Sequence, residues 1–348
     1  MRQFNIKAPN EDLRPSIINK INNLNKPLRS FGILEDIAEQ ICLVQQTLSP
    51  SLSKPCHLLF GADHGIADEG VSASPKEVTW QQMINFTKGG AAINMLCRQH
   101  DFDLKIIDVG VDHDLSQFPS IVPMKIANGT KNFLYEPAMT NQQLDLSLSI
   151  GAEMVSRCQK EGSNVLSIGE MGIANTSASS IWMALMLSLP LEQCVGAGSG
   201  LNANGISHKL EVLKKAQSNF LTYFPNPSIP DIMTWFGGFE MTAAIGSMLQ
   251  AAENNMIILI DGFIMTACAL AAIKLYPQSQ HFMIFTHCGD ENGHSLLLKQ
   301  LGKKPLLNLS MKLGEGTGAL CAYPLIDSAV RMVNEMASFS QSDITKYF

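Results

Sequence analysis

The chain has little charge. Lys, Arg, Asp and Glu make up only 16% of its 348 residues, and the formal net charge is −6. Nothing resembles a basic stripe, which argues against nucleic acid or other polyanion partners while leaving room for a local anion pocket. Close cysteine pairs are missing too. Cys42, Cys56, Cys97, Cys158, Cys194, Cys268, Cys288 and Cys321 are scattered, without zinc-ribbon or redox spacing, and read as reduced thiols in or near the core. No run is apolar enough throughout to span a membrane. The most apolar stretch, "MIILIDGFIMTACALAAIKLY", is broken by Asp261 and Gly262 as a strand, turn and helix would be. The opening "MRQFNIKAPNEDLRPS" lacks the apolar centre of a secretory signal, which points to the cytoplasm. A Walker loop, a G-x-G-x-x-G dinucleotide fingerprint, an H-E-x-x-H zinc pair and a G-x-S-x-G nucleophile elbow are all absent. There is no low-complexity tract, and no repeat beyond strand and helix in alternation.

What is present is a large apolar share, 46%, over a length that suits one large α/β domain with a smaller satellite. Short runs rich in Ile, Val, Leu and Phe lack strict alternation, as expected of strands covered on both faces. Each leads into small and polar residues: "CHLLF" into "GADHG", "LKIIDV" into "GVDHD", "NVLSI" into "GEMGIANTS", "MIILI" into "DG", "HFMIF" into "THCGDENGH", and "PLLNLSMKL" into "GEGTG". Helical patterns such as "TWQQMINFTKGGAAINMLCRQH", "TSASSIWMALMLSL" and "GFEMTAAIGSMLQAAEN" lie between them. The alternation predicts a Rossmann-like, doubly wound α/β fold with a mainly parallel sheet of about six strands. Ligands of such sheets sit beyond the carboxyl ends of the strands. Residues 9–50 read as two helices and "AYPLIDSAVRMVNEMASFS" as another. The expected division is a small helical domain from residues 1–50 and 322–348, and a large α/β domain over residues 51–321.

Candidate chemistry collects at the strand exits. In "GEMGIANTSAS" a glycine-rich exit is followed by Asn175, Thr176 and Ser177 opening a helix, which suits an anion or an ordinary helix cap equally well. "GAGSGLNANGISHK" clusters Gly196, Gly198 and Gly200 ahead of Lys209, the makings of an amide nest plus a cation. Two acids, Glu170 and Glu315, each follow a glycine. If both face one cleft, burial and mutual repulsion would raise at least one pKa towards the range useful to a general base. His287, Cys288, Asp290, Glu291 and His294 contain metal-ligand types, but no established ligand spacing, and read as hydrogen-bonded loop residues rather than a metal site.

The blocks "NKPLRSFGILED", "GADHGIADEGVSASPKEVT", "NFTKGGAAINMLCRQ", "GEMGIANTS", "GLNANGISHK", "LIDGFI" and "NLSMKLGEGTGA" together resemble the bacterial nicotinate-nucleotide:dimethylbenzimidazole phosphoribosyltransferases of cobalamin lower-ligand synthesis. The resemblance runs over nearly the whole chain. It implies a Rossmann-like domain with a small helical domain, a homodimer, and no metal or other cofactor. It also implies transfer of the phosphoribosyl group of nicotinate mononucleotide to dimethylbenzimidazole, yielding α-ribazole 5′-phosphate and nicotinate with inversion at the anomeric carbon.

By this resemblance Glu315 is the catalytic base and Glu170 lies beside it. Ser74 and Gln82 line the benzimidazole pocket together with Met171. The nucleotide's phosphate and ribose fall to the loops at Gly172, Asn175, Thr176, Gly198, Ser199, Lys209, Gly262 and Gly314. One block departs from the family, which reads Lys-Pro-x-Gly-Ser-Leu-Gly where this chain has Arg29 in place of a turn glycine and Phe31 in place of a leucine. Two other functions stay open: transfer to a different acceptor such as adenine or a phenol, and nucleotide binding by a regulator without turnover.

Overall fold

The structure is a computed structural model that describes residues 2–342, 344–346 and 348. Its aliphatic runs assemble into one sheet made of β1 (Cys56–Ala62), β2 (Asp103–Gly110), β3 (Ile121–Pro123), β4 (Val165–Met171), β5 (Ile257–Ile260) and β6 (Met283–Phe285). The spatial order is β3-β2-β1-β4-β5-β6. Every pairing is parallel. Helices cover both faces, so each residue of β1, β5 and β6 is buried, which is why these strands read as continuous apolar runs. Strand order reverses between β1 and β4, and a crevice opens beyond the carboxyl ends there.

The sheet is Rossmann-like and six-stranded, but one strand differs from expectation. "PLLNLSMKL" is not a strand: Leu306 and Leu307 alone follow the end of β6, through backbone hydrogen bonds to Phe285, Thr286 and Cys288 and one bridge to His287. None of residues 305–313 is buried, and Leu309 and Leu313 are exposed. The segment therefore lacks the two buried faces that a central strand requires. The sixth strand is instead the three-residue β3, too short to announce itself as a hydrophobic run. The pattern "TWQQMINFTKGGAAINMLCRQH" divides at Gly89 and Gly90 into helices Val78–Thr87 and Ala92–Gln99. All eight cysteines are free thiols, six of them buried.

Helices Arg14–Asn22, Ile33–Gln45 and Thr317–Glu335 pack together beside the sheet. Between the first two, Arg29 adopts a left-handed backbone with φ 60°, at a cost of about 1–2 kcal/mol for a residue with a Cβ. Its guanidinium grips Asp36 with two hydrogen bonds of 2.7 and 2.9 Å, which offsets part of that cost. A glycine would adopt this turn without strain. Beneath it Lys26 and Glu35 form a buried ion pair at 2.9 Å.

The core's tightest contact joins helices Asn141–Lys160 and Phe239–Glu253. A Cβ on Gly151 would lie 1.9 Å from the Ala243 carbonyl oxygen, and one on Gly246 would lie 2.1 Å from that of Leu148. The two backbones therefore touch, and neither can yield without moving a helix. Alanine is intrinsically the better helix former by about 1 kcal/mol, so the substitution discriminates packing from propensity. Gly151→Ala and Gly246→Ala are each expected to destabilise by roughly 1–3 kcal/mol, measured by urea unfolding; a gain in stability would show that the helices part freely.

Candidate active site

The loop after "NLSMK" turns sharply because three successive residues, Gly314, Glu315 and Gly316, have φ of 84°, 62° and 84°. For Glu315 this is a strained conformation, of the kind the surrounding structure must enforce. The enforcement is visible. A Cβ on Gly316 would lie 2.2 Å from His57, one on Gly318 would lie 2.1 Å from His287, and one on Gly169 of β4 would lie 2.2 Å from the Glu315 carbonyl oxygen. The loop is wedged between two imidazole rings and a strand. Its glutamate side chain is consequently not exposed: Glu315 retains 5% of its surface. One carboxylate oxygen accepts from Gln82 Nε2 at 2.7 Å, and the other from the Ile93 amide at 3.3 Å in the first turn of helix Ala92–Gln99. Burial pushes its pKa above the usual glutamate value, against the lowering effect of those two donors.

Glu170, near the end of β4, is also buried and faces the same cleft. A Cβ on Gly314 would lie 2.6 Å from its Oε1. Its second oxygen accepts from the side-chain amide of Asn175. Behind it lies a fully buried pair, His64 Nε2 to Glu240 Oε1 at 2.6 Å, and the Asn175 amide also reaches Glu240 at 3.4 Å. Burial raises the Glu170 pKa well above the usual range; Asn175 opposes this, and Glu240, Asp261 and Glu315 add to it. Asp261, at the exit of β5, accepts from the Ala319 amide at 3.0 Å and faces His287 Nε2 at 3.3 Å. Burial alone would raise its pKa, but His287 and the Gly262 and Ala319 amides hold it below the usual value.

Across the cleft, helix Asn175–Leu187 begins after Ala174, which has no side chain to cap it. The Asn175 amide donates to the Gly172 carbonyl at 3.2 Å and that of Ser177 to the Ala174 carbonyl at 2.9 Å, which leaves the Thr176 amide for an anion. Gly198, at φ 55°, turns its amide to the Glu291 carboxylate, 3.1 Å from both oxygens. Ser199 Oγ meets Ser72 Oγ at 3.1 Å. Lys209 lies beneath, fully buried, with Nζ 2.8 Å from Thr176 Oγ1. Burial lowers its pKa to about 8, with Glu291 opposing. The cleft opens to solvent and spans about 1020 Å³ when its open mouth is included. One wall is acidic and the other rich in amide donors, an arrangement suited to a ligand with an anionic end and a centre that becomes positive during reaction.

A family model described as phosphoribosyltransferase matches residues 6–344. The nicotinate-nucleotide–dimethylbenzimidazole phosphoribosyltransferase of Bacteroides fragilis (strain ATCC 25285) is 57% identical over 348 residues, all of both chains. That of Dechloromonas aromatica (strain RCB) is 43% identical over 99% of each chain. The crystal structure of CobT from Thermus thermophilus superposes with a TM-score of 0.92 at 35% identity, covering 97% of this chain and 100% of that one. The chain belongs to the nicotinate-nucleotide:dimethylbenzimidazole phosphoribosyltransferase family.

Of the residues singled out in the sequence, the cleft of this phosphoribosyltransferase is lined by Glu170, Met171, Gly172, Asn175, Thr176, Gly198, Ser199, Gly262, Gly314 and Glu315. Gln82 joins it through Glu315, and Lys209 supports it from below through Thr176. Ser74 is not brought into the lining; Ser72 stands there, and its hydroxyl accepts the Ser74 amide at 3.2 Å. Asp261, Glu291 and Lys312 line the cleft without having been singled out for it. Asp261 could have been found, since an acid flanked by glycine at a strand exit is the signature that marked Glu170. Glu240 and His64 carry no such signal, because only the fold brings them behind Asn175. His287 and His294 engage Asp261 and Thr266 respectively.

The raised pKa of Glu170 has a consequence for stability. Between its ordinary value and its raised folded value, the folded chain holds a proton that the unfolded chain has lost. Stability therefore falls as pH rises through the folded pKa. Glu170→Gln, which imitates the protonated acid, is expected to have a higher Tm than wild type at neutral pH, the difference vanishing near pH 4. Calorimetry across pH 4–8 tests this, and an unchanged difference throughout would remove the argument.

Proposed function

We propose that the protein transfers the 5-phosphoribosyl group of nicotinate mononucleotide to 5,6-dimethylbenzimidazole, giving α-ribazole 5′-phosphate and nicotinate, with Glu315 as general base. The observation that carries this reading is the Glu315 carboxylate itself: buried, oriented by Gln82 and the Ile93 amide, and shifted upward in pKa. A carboxylate with a raised pKa is a stronger base than one in water.

The bond changes follow. One benzimidazole nitrogen attacks the anomeric carbon on the face opposite nicotinate, so a β-nucleotide becomes an α-product. As that bond forms, the other ring nitrogen gives its proton to Glu315, and the acceptor never becomes a full cation. The bond to nicotinate breaks with its electron pair moving to the pyridinium nitrogen, which becomes neutral. Because the leaving group starts out cationic, it requires neither a proton nor a metal to depart. Positive charge developing on the ribose is met by Asp261, whose carboxylate is kept ionised on the cleft wall by His287 and the Gly262 and Ala319 amides. The phosphate fits the Thr176 amide at the helix start and the turn at Gly198 and Ser199, with Lys209 close behind Thr176.

The family resemblance also supports a homodimer, and eight free thiols suit a reducing cytoplasm. Among the described residues no helix is long and apolar enough to cross a membrane. Sedimentation velocity at micromolar protein tests the dimer.

The deciding experiment incubates purified protein with nicotinate mononucleotide and dimethylbenzimidazole and follows nicotinate release and product anomer by NMR. An α-linked ribazole phosphate is the expected product; nicotinate without ribazole would indicate hydrolysis instead. Glu315→Gln is expected to lower kcat by about 10²- to 10⁴-fold while leaving nucleotide affinity nearly unchanged by calorimetric titration. In wild type, kcat/KM is expected to fall as pH drops through the Glu315 pKa, with the acid limb lying above the usual glutamate value. An acid limb at or below that value would contradict the assigned base.

A further inference from the structure

The cleft lies at the carboxyl end of the sheet; a second chemical pair lies at the other end. The sulfurs of Cys56 and Cys158, 102 positions apart in sequence, approach to 2.7 Å. Cys56 opens β1, and Cys158 sits in the last turn of helix Asn141–Lys160. Among the described residues no other two cysteines are in hydrogen-bond contact. Both are nearly covered, at 2% and 0% exposure, yet they line a surface cleft whose other walls include Lys54, Asp101, Asp103 and Glu161, all exposed. Cys158 itself has no exposed surface, so a peroxide entering this cleft reaches its sulfur when the last turn of the helix frays.

We propose that Cys56 and Cys158 are an oxidisable dithiol, converted by a peroxide into a disulfide that staples the start of β1 to the end of helix Asn141–Lys160. A disulfide requires an S–S distance of ~2.05 Å, so less than an ångström separates the present contact from a bond. The pair also has a donor and a nucleophile. The Cys56 thiol hydrogen-bonds to Cys158, which lowers the Cys158 pKa; burial opposes this, and the charge of Lys105 assists. Lys105 is fixed there by Asp103 at 2.8 Å and Glu161 at 3.2 Å. Thiolate character of this kind selects the sulfur that is oxidised first.

The Cys158 thiolate attacks one peroxide oxygen and becomes a sulfenic acid. The O–O bond breaks, and the departing hydroxide takes up a proton to leave as water. The Cys56 sulfur then attacks the Cys158 sulfur; the S–O bond breaks, and the hydroxyl leaves with the Cys56 proton as a second water. Two thiols have lost two electrons, and one peroxide has gained them. The link closes a long loop that contains β1, β2 and β3, which restricts the unfolded chain. The seven residues of β1, about 23 Å at ~3.3 Å each, separate it from the site, so it acts on stability and not on the reaction.

The test treats full-length protein with hydrogen peroxide and reads free thiols, non-reducing peptide maps and Tm, none of which depends on the proposed activity. The expected result is loss of two of the eight thiols, a linked Cys56–Cys158 peptide pair, and a Tm higher by roughly 5 °C that dithiothreitol reverses. Cys56→Ser and Cys158→Ala should each abolish the link and the shift; should either fail to fold, the wild-type map decides alone. Oxidation confined to the half-buried Cys288 and Cys321, or a linked pair with lowered Tm, would overturn the proposal.

Discussion

A stretch of backbone with almost no side chains, pressed between two buried imidazole rings, sets the geometry of the cleft. Gly316 lies against His57 and Gly318 against His287, while the Glu315 carbonyl lies over Gly169. No Cβ fits at any of the three glycines. Glu315 is the exception in the run, and it accepts a left-handed backbone because its neighbours leave the loop no other path. The strain is local, and its result is a carboxylate with one orientation. Both of its oxygens are occupied by donors from two different helices, Val78–Thr87 and Ala92–Gln99.

Around that loop the fold gathers acids without setting a lysine or arginine against them. Glu170, Glu240, Asp261 and Glu315 are all buried at one end of the sheet. The side chains set against them are mostly neutral donors, Asn175 and Gln82, and two histidines, His64 and His287. Such an arrangement costs stability in the empty protein. It is also what a reaction with a developing positive charge needs, because the field is in place before the charge appears. The opposing wall has the reverse character, with the start of a helix at Thr176 and a buried lysine behind it. A ligand that is anionic at one end and becomes cationic near its middle is matched by both walls together.

Much of this is legible in the residues taken in order. Five of the six strands announce themselves as short apolar runs, since a strand covered on both faces must be apolar throughout. The glycine and acid near the end of β4 mark Glu170, and the glycines about Glu315 mark a close approach of backbone. The failures have physical reasons. "PLLNLSMKL" is apolar without being covered, and β3 is covered without being long. Arg29 holds a glycine's conformation by means of a partner seven residues on, Asp36.

Local composition and order by themselves determined the class of fold, the end of the sheet where chemistry collects, and the acids that stand there. These depend on burial and turn geometry, which neighbouring residues impose on one another. Only the tertiary structure decided which distant groups meet: Glu240 and His64 behind Asn175, His57 and His287 against the glycine loop, Cys56 beside Cys158. Those contacts come from the order of strands and the crossing of helices. The same structure decided the protonation behaviour of the acids, because a pKa responds to burial and to neighbours in space, wherever they lie along the chain.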